Sequence, residues 1–395
     1  MSCPPIVTEP ERLAGQRRTA GDLPQKLLLV SGSARLLAQS AARAGIHAVA
    51  LDHYADADTR AATADVMAIP EPGGDFDPLR LLTAAARLAP PGAYPLVYGS
   101  GLDSSPDLLD ALAQGREVIG NSPAIQRLFR VPSRFFQLLS ACGIPHPEIR
   151  HDHPPDPANW VIKSGCSEGG KRVRFCAHVQ AGADEYYQRR LNGPALSALF
   201  LADGRGATIL GFNTLLTVEL PGQPFLFIGA INQTQLDDSQ RQQIHCTVAR
   251  LVEVSGLVGL NSLDFMLDAV GGLQVIEVNA RPSATMALYD DDYPEGLLAA
   301  HIRACRGRLP AVIPPARVRA FRVLFAPKRV AAHPGLDWPH WCADVPAIGT
   351  IIETGQPVCT LKAEGYSRGS VEALIEQRAD QLHRYIASVH SSASR

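Results

Sequence analysis

A glycine-rich hairpin carries two of the few lysines in this chain. The segment Trp160–Phe175 reads WVIKSGCSEGGKRVRF, and Lys163 and Lys171 are two of five lysines among 395 residues. A P-loop requires Ser or Thr directly after its lysine, but Arg172 stands there, and the run RVRF favours a continuing strand. We therefore predict a turn that folds over phosphates, with Lys163 ending the first strand. The alternative is an ordinary hairpin turn with a solvent-exposed lysine.

Oxygen-bearing side chains follow in a second segment further along the chain. Asp264 lies in LDFML, and Glu277 and Asn279 lie in VIEVNARPS. If the turn at Gly271 and Gly272 joins two antiparallel strands, side chains 277 and 279 share one face and 264 lies opposite. Hard oxygen donors suit Mg²⁺ bridged to phosphates. The pattern therefore indicates a magnesium site.

Arg281 follows on the same face as Glu277 and Asn279. A guanidinium at this position would hold an oxygen of a transferred phosphoryl group or of an acyl phosphate. The alternative is a solvent-exposed hairpin at a sheet edge. It is disfavoured because Glu277 follows the apolar run LQVI, where an unpaired carboxylate would carry a large desolvation cost.

The elements that must position these residues begin with a β-α-β pattern. Apolar runs at 26–31 and 46–52 flank a helical pattern over 33–44, and a further strand is predicted at 95–101. This order is typical of a parallel sheet. The first turn contains one glycine instead of GxGxxG, so we predict a Rossmann-like scaffold and not a nicotinamide dinucleotide site.

The rest of the chain is predicted to be mixed helix and antiparallel strand. We expect a strand and a turn within 116–123, one helix over 124–143, the hairpin described above, strands between 197 and 220, short strands at 315–365 and a closing helix at 370–388. The predicted regions are an N-terminal arm (1–25), a Rossmann-like domain (26–120), a nucleotide- and magnesium-binding domain (121–308) and a small C-terminal β unit with its helix (309–395).

The overall composition excludes several classes of protein. Hydrophobic residues make up 46% and charged residues 19%, which is typical of folded globular chains. A net charge of −2 disfavours nucleic acid and anionic membrane as partners. The sequence contains no apolar run long enough for a membrane span and no secretory signal, so we expect a cytoplasmic protein. The eight cysteines lack zinc-binding spacing.

Taken together, these motifs resemble the ATP-grasp superfamily. Its pattern places a Glu thirteen residues after an Asp and an Asn two residues later, as in Asp264, Glu277 and Asn279. The resemblance implies that these three bind Mg²⁺ and that Lys163 and Arg281 are catalytic. Lys163 would contact the ATP phosphates, and Arg281 would lie beside the reacting phosphate. The residues implied in nucleotide binding are Lys163, Gly165, Gly169, Gly170, Lys171 and Gln188.

The chain departs from the family pattern in two places. The strand that contacts adenine is expected near 187–190, where members usually carry an acidic residue for the ribose hydroxyls. Here Arg189, Arg190 and Asn192 stand instead. A second family lysine is also missing, and Arg130 and Arg134 are the candidates to replace it.

The resemblance implies both a fold and a function. The fold is of mixed α/β and α+β class, an ATP-grasp fold with a preceding Rossmann-like domain and a small C-terminal β-rich unit. The function is an ATP-dependent carboxylate–amine ligase that uses Mg²⁺ or Mn²⁺ and releases ADP and phosphate from an acyl phosphate. Small-molecule carboxylate and amine substrates are the expected partners. The resemblance is also compatible with a homo-oligomer.

The resemblance defines the substrate less closely than it defines the type of reaction. General likeness to ATP-grasp proteins that accompany methanofuran- or tetrahydromethanopterin-dependent one-carbon metabolism implies a glutamate ligase. An ATP-grasp carboxylase, a small-metabolite kinase and a non-catalytic nucleotide-binding module are the alternatives.

Overall fold

The computed structural model describes residues 22–69, 75–102, 105–165, 168–177 and 179–393. Most of the predicted N-terminal arm lies outside these residues. In the described part of the chain, no helix is long and apolar enough to cross a membrane.

The first region is a parallel sheet, as predicted. Its strands have the order β3-β2-β1-β4, and the apolar side chains of β1 are fully buried because helices cover the sheet. The predicted strand at 116–123 is reduced to a single bridge between Val118 and Leu96. The elements are β1 (Lys26–Val30), α1 (Arg35–Arg43), β2 (His47–Asp52), α2 (Ala57–Ala61), β3 (Asp65–Ala68), α3 (Pro78–Leu88), β4 (Leu96–Tyr98) and α4 (Pro106–Ala113).

The single helix predicted over 124–143 is wrong, because the structure contains two helices. Helix α5 spans Pro123–Arg130 and helix α6 spans Pro132–Ala141. Pro132 has no N–H to donate and forces Val131 out of the helical region, to φ −86° and ψ 110°. The break places Arg130 at the end of a helix, beside the hairpin that carries Lys163.

That hairpin belongs to a small four-stranded sheet. Its order is β5-β8-β6-β7. The second strand of the hairpin is shorter than the sequence indicates, because only Arg174 and Phe175 pair with β6. The strands are β5 (Ile149–Arg150), β6 (Trp160–Ser164), β7 (Arg174–Phe175) and β8 (Glu185–Arg189).

A large antiparallel sheet forms the centre of the molecule. Its order is β13-β12-β9-β10-β11-β14-β18-β16, so three strands from the C-terminal region extend it beyond β11. The strands are β9 (Leu196–Asp203), β10 (Ala207–Leu220), β11 (Gln223–Ile231), β12 (Val258–Leu267), β13 (Leu273–Asn279), β14 (Val318–Phe325), β16 (Cys342–Ala343) and β18 (Pro357–Gly365). Two short strands, β15 (Val330–Ala331) and β17 (Ile351–Ile352), pair separately.

Three further helices cover the sheet: α7 (Asp238–Ser255), α8 (Gly296–Cys305) and α9 (Arg368–Ala393). Helix α8 lies between the two large layers. One hydrophobic cluster contains Leu29 of the parallel sheet, Leu297 of α8 and Leu260 of the antiparallel sheet. The N-terminal region and the large sheet therefore share a core.

A buried polar hub around Asn121 joins the first region to β12 and β13. Its side-chain amide donates to Asn261 Oδ1 at 2.8 Å and to the carbonyl of Ala280 at 2.9 Å. Its Oδ1 accepts the N–H of Val258 at 2.9 Å. Gln126 also donates to the Ala280 carbonyl, at 2.6 Å. Because buried polar groups need partners, this hub fixes the backbone directly before Arg281.

We predict that Asn121→Ala destabilises the protein by about 2–3 kcal/mol, because the buried partners of the amide lose their hydrogen bonds. Urea unfolding followed by circular dichroism measures the change. The control is Asn192→Ala at an exposed position. Equal unfolding midpoints for the two variants would contradict a structural role for the hub.

Candidate active site

One cavity of about 610 Å³ runs between the small sheet and the large sheet. It extends from the turn after β1 to the C-terminal strands β14 and β18. This volume is typical of a site for a small molecule or cofactor. Every site residue predicted from the sequence lines it: Lys163, Gly165, Gly169, Gly170, Lys171, Gln188, Asp264, Glu277, Asn279 and Arg281.

Lys163 is the next-to-last residue of strand β6 and points toward the strand beside it. Its Nζ lies 3.4 Å from Oε1 of Gln188, a buried residue of β8. Burial lowers the pKa of Lys163, while the nearby carboxylates Glu277 and Asp264 raise it. A buried ammonium is costly unless an anion compensates it. The surroundings of Lys163 therefore favour an anionic ligand.

The oxygen donors meet where β12 pairs with β13. Asp264 lies directly opposite Glu277, and Ser262 lies opposite Asn279. The amide of Asn279 donates to Asp264 Oδ2 at 3.1 Å. Burial, and then the charge of Glu277, raises the pKa of Asp264 to about 7. Two adjacent carboxylates that disfavour each other's charge favour a bound cation.

These three side chains fit Mg²⁺ as a partial ligand set. Among the described residues, no group of three or more His, Cys, Asp or Glu side chains could hold a metal. The two carboxylates and one amide found here match an ion that keeps few protein ligands and takes its others from water and phosphate.

Two buried arginines face the carboxylates. Arg130 Nη1 donates to Glu277 Oε1 at 2.9 Å, and its side chain is 6% exposed. Arg281 is equally buried, at 8%. Of the two arginines considered as replacements for the missing lysine, the structure places Arg130 in the site and leaves Arg134 exposed. Arg130 is the last residue of α5, because Pro132 prevents the helix from continuing.

Glu168 is a site residue that sequence reasoning missed. It lies within the glycine-rich turn, and its Oε1 accepts the backbone N–H of Gly101 at 2.9 Å. The same oxygen is 3.9 Å from Arg130 Nη2 and 3.8 Å from Arg281 Nη2. The sequence contained one signal for Glu168: it is a charged residue directly before two glycines, in a turn assigned to phosphate binding.

The glycines of the turn are required by close packing. A Cβ on Gly165 would lie 2.5 Å from the carbonyl oxygen of Arg130. Gly170 has φ +70°, and a Cβ there would lie 2.0 Å from the carbonyl oxygen of Phe225. The carbonyl of Gly169 accepts the N–H of Phe227 at 2.9 Å. The turn is therefore packed against both α5 and β11, over the cavity.

The comparison with protein families agrees with this geometry. Residues 133–285 match the family model described as an ATP-grasp domain. The chain contains an ATP-grasp domain. No curated protein matches the chain in sequence.

Solved structures share the fold. Biotin carboxylase from Campylobacter jejuni is 14% identical with a TM-score of 0.68, over 88% of this chain and 89% of that one. N5-carboxyaminoimidazole ribonucleotide synthetase from Thermotoga maritima is 14% identical with a TM-score of 0.65, over 90% and 98%.

A third structure is the biotin carboxylase domain dimer of 2-oxoglutarate carboxylase from Hydrogenobacter thermophilus, solved with MgADP, ADP and bicarbonate. It is 14% identical with a TM-score of 0.67, over 86% and 85% of the two chains. These likenesses confirm the predicted mixed α/β ATP-grasp fold.

The segment predicted to contact adenine in this ATP-grasp domain is partly strand. Gln188 and Arg189 belong to β8, and the connection to β9 begins at Arg190, which lines the cavity. Arg189 lies over Trp160 and Arg190 over Phe175, with guanidinium-to-ring distances of 5.5 and 5.1 Å. These two arginines therefore pack on aromatic rings of the small sheet.

We predict that Gly170→Ala displaces the glycine-rich turn, because the added Cβ meets a backbone oxygen that cannot rotate away. Trypsin cleavage after the exposed Lys171 should become several-fold faster. The matched control is Gly143→Ala, which has a similar φ of +65° but no atom within 4 Å of the added Cβ. Both variants bear the conformational cost of about 1–2 kcal/mol. Equal cleavage rates would show that the contact with Phe225 does not hold the turn.

Proposed function

We propose that the protein is an ATP-dependent ligase that joins a carboxylate to an amine. A carboxylate oxygen attacks the γ-phosphorus of ATP and ADP leaves, which gives an acyl phosphate. The amine nitrogen then attacks the acyl carbon, loses a proton and displaces phosphate. The observation that supports this best is the cavity, where a half-buried lysine, the paired carboxylates and two buried arginines face one space.

The residues have separate roles in this proposal. Lys163 binds ATP phosphates, with the backbone of Gly165, Gly169 and Gly170 covering them. The Mg²⁺ ligands are Asp264, Glu277 and Asn279, and Mn²⁺ is the alternative hard cation. When bound, the ion neutralises charge on the phosphates. Arg281 stabilises the charge that develops during transfer.

The acceptor end of the cavity has a different character. Ser33, Arg35 and Asp344 line it, and Ser33 and Arg35 both bond to Asp344. Asp344 accepts from the Ser33 hydroxyl at 2.9 Å and from Arg35 Nε at 2.8 Å. This polar wall joins the N-terminal region to the C-terminal strands, and we assign the amine substrate to it. Glutamate is the proposed donor or acceptor, in coenzyme synthesis of the methanofuran or tetrahydromethanopterin type.

A carboxylase is the second candidate. It is favoured by the shared fold with carboxylases, one of which was solved with bicarbonate. ADP release that depends on bicarbonate and not on an amine would select it. A non-catalytic module is disfavoured because the paired carboxylates, the lysine and the arginines line one cavity.

We predict that Lys163→Met weakens Mg²⁺-ATP binding and slows ADP release, because methionine keeps the apolar stem and removes the charge. The matched control is Lys171→Met, in the same hairpin but exposed, which should be much milder. Calorimetric titration of Mg²⁺-ATP and an ADP-release assay measure the two effects. A larger loss from Lys171→Met would place the nucleotide on the other side of the turn.

We predict that ¹⁸O from a labelled carboxylate substrate appears in inorganic phosphate, with ADP as the nucleotide product. Screening amino acids with and without amines identifies the pair to label. Arg281→Gln should lower turnover roughly 10²–10³-fold, as expected for loss of one aimed donor. AMP and pyrophosphate as products would instead mean adenylation, and both the acyl phosphate and this role of Arg281 would be abandoned.

A further inference from the structure

One face of the large sheet is apolar where it lines the cavity. Strands β10, β11 and β14 lie side by side, and the residues that they contribute to the cavity are apolar except Thr217. Because side chains alternate along a strand, lining residues two positions apart in one strand share a face. This apolar face comprises Leu215, Phe225, Phe227, Phe321 and Val323.

Strand pairing brings these side chains next to one another. Phe321 lies opposite Ala230 of β11, and Ala230 lies opposite Leu215 of β10. The ring centroids of Phe227 and Phe321 are 6.2 Å apart, with an angle of 64° between the ring planes. The apolar face is therefore continuous across three strands.

Apolar residues from other segments meet this face. One hydrophobic cluster contains Phe321 and Met286, and Leu36 of α1 and Phe227 pack against it. Met286 and Leu36 also line the cavity. Met286 follows Arg281 along the chain after a short connection, and both residues line the same space. The apolar part of the cavity is therefore continuous with the proposed site of phosphoryl transfer.

The polar wall lies at the edge of the apolar face. Val323 pairs with Thr360 of β18, and Thr360 pairs with Ala343 of β16. Asp344 follows Ala343 directly, and both Thr360 and Asp344 line the cavity. Two strand pairings therefore lead from an apolar side chain to a carboxylate.

The polar wall carries both signs of charge. Arg35 Nε is paired with Asp344 Oδ1 at 2.8 Å, and Lys362 of β18 lines the cavity two residues beyond Thr360. The hydroxyl of Ser33 donates to the same carboxylate. The wall offers hydrogen-bond acceptors and donors, so it can bind an amino group in its protonated or its neutral form.

We propose that the amine acceptor carries an apolar body, which binds on the apolar face while its amino group binds at the polar wall. The inference rests on the proposed ligase function and names the class of its acceptor. A small polar amine would leave aromatic and aliphatic side chains in contact with water, whereas an apolar body buries them. Glutamate has a charged side chain, so in this ligase it would be the acyl donor.

The test measures binding of linear alkylamines to the full-length protein without nucleotide. Ligand-observed NMR titration gives dissociation constants for propylamine, pentylamine and heptylamine. Each added methylene that the apolar face buries should tighten binding roughly three- to fourfold. The matched polar probe is 4-amino-1-butanol, in which a hydroxyl group replaces the terminal methyl group of pentylamine. It should bind no more tightly than propylamine.

A substitution that fills the space over the apolar face separates this subsite from binding elsewhere. Val323→Phe should remove the gain from propylamine to heptylamine, because the larger ring occupies part of the cavity. The matched control is Val270→Phe, at a side chain that is 92% exposed, and it should match the wild type. If Val323→Phe does not fold, Val323→Thr introduces only a hydroxyl group and should weaken heptylamine binding about fivefold or more.

Each other result counts against the proposal. Equal affinity for propylamine and heptylamine would show that the apolar face binds no apolar group. A gain that persists in Val323→Phe would place the amines elsewhere on the protein. Tighter binding of 4-amino-1-butanol than of pentylamine would assign this end of the cavity to a polar acceptor.

This test is independent of the ligase reaction. It contains no ATP and no acyl donor, so a protein that fails the ¹⁸O experiment can still bind amines on the apolar face. Conversely, label transfer to phosphate without a preference for longer alkylamines would support the ligase and reject an apolar acceptor.

Discussion

The balance of buried charge in the cavity is the constraint on which the rest of the structure depends. Arg130, Lys163 and Arg281 face Glu168, Asp264 and Glu277 in one cavity, where the two arginines are buried and Glu168 and Glu277 are 25% and 32% exposed. Removing one of the carboxylates leaves a buried guanidinium group with less compensation, which is costly. The cavity therefore favours a ligand that carries both negative and positive charge, because both signs of side-chain charge then stay compensated. In the proposed function, a nucleotide with its divalent cation would do so, because its phosphates would meet the cations and the metal would meet the carboxylates.

These charged side chains can keep fixed distances only if the backbone that carries them is rigid. The antiparallel register sets Asp264 opposite Glu277, and the side-chain period of two places Asn279 beside them. The Asn121 hub then fixes the chain where β13 ends. On the other side, the turn is packed against α5 and β11, so both walls of the cavity are held by backbone contacts.

Much of this could be predicted from local pattern. Apolar runs located β1 and β2, and the spacing of Asp264, Glu277 and Asn279 on a two-strand unit located the paired donors. The helix break at Pro132 could also have been predicted, because proline interrupts helices. The sequence nevertheless favoured one helix, because the apolar periodicity continues on both sides of Pro132. Arg130 and Glu168 were harder to assign. Their roles come from contacts between distant segments. The spacing of apolar residues along a helix does not show whether an arginine at the helix end points into a cavity or into solvent.

The continuity of the large sheet has a consequence for how the chain is made. Strands β14, β18 and β16 pair beyond β11, although the chain reaches β14 only at Val318. Until β14 has been synthesised, β11 has an unpaired edge with free backbone donors and acceptors. Such an edge attracts other strands and favours aggregation. The nascent protein is thus exposed to misassembly after β11 has emerged and before β14, β18 and β16 arrive.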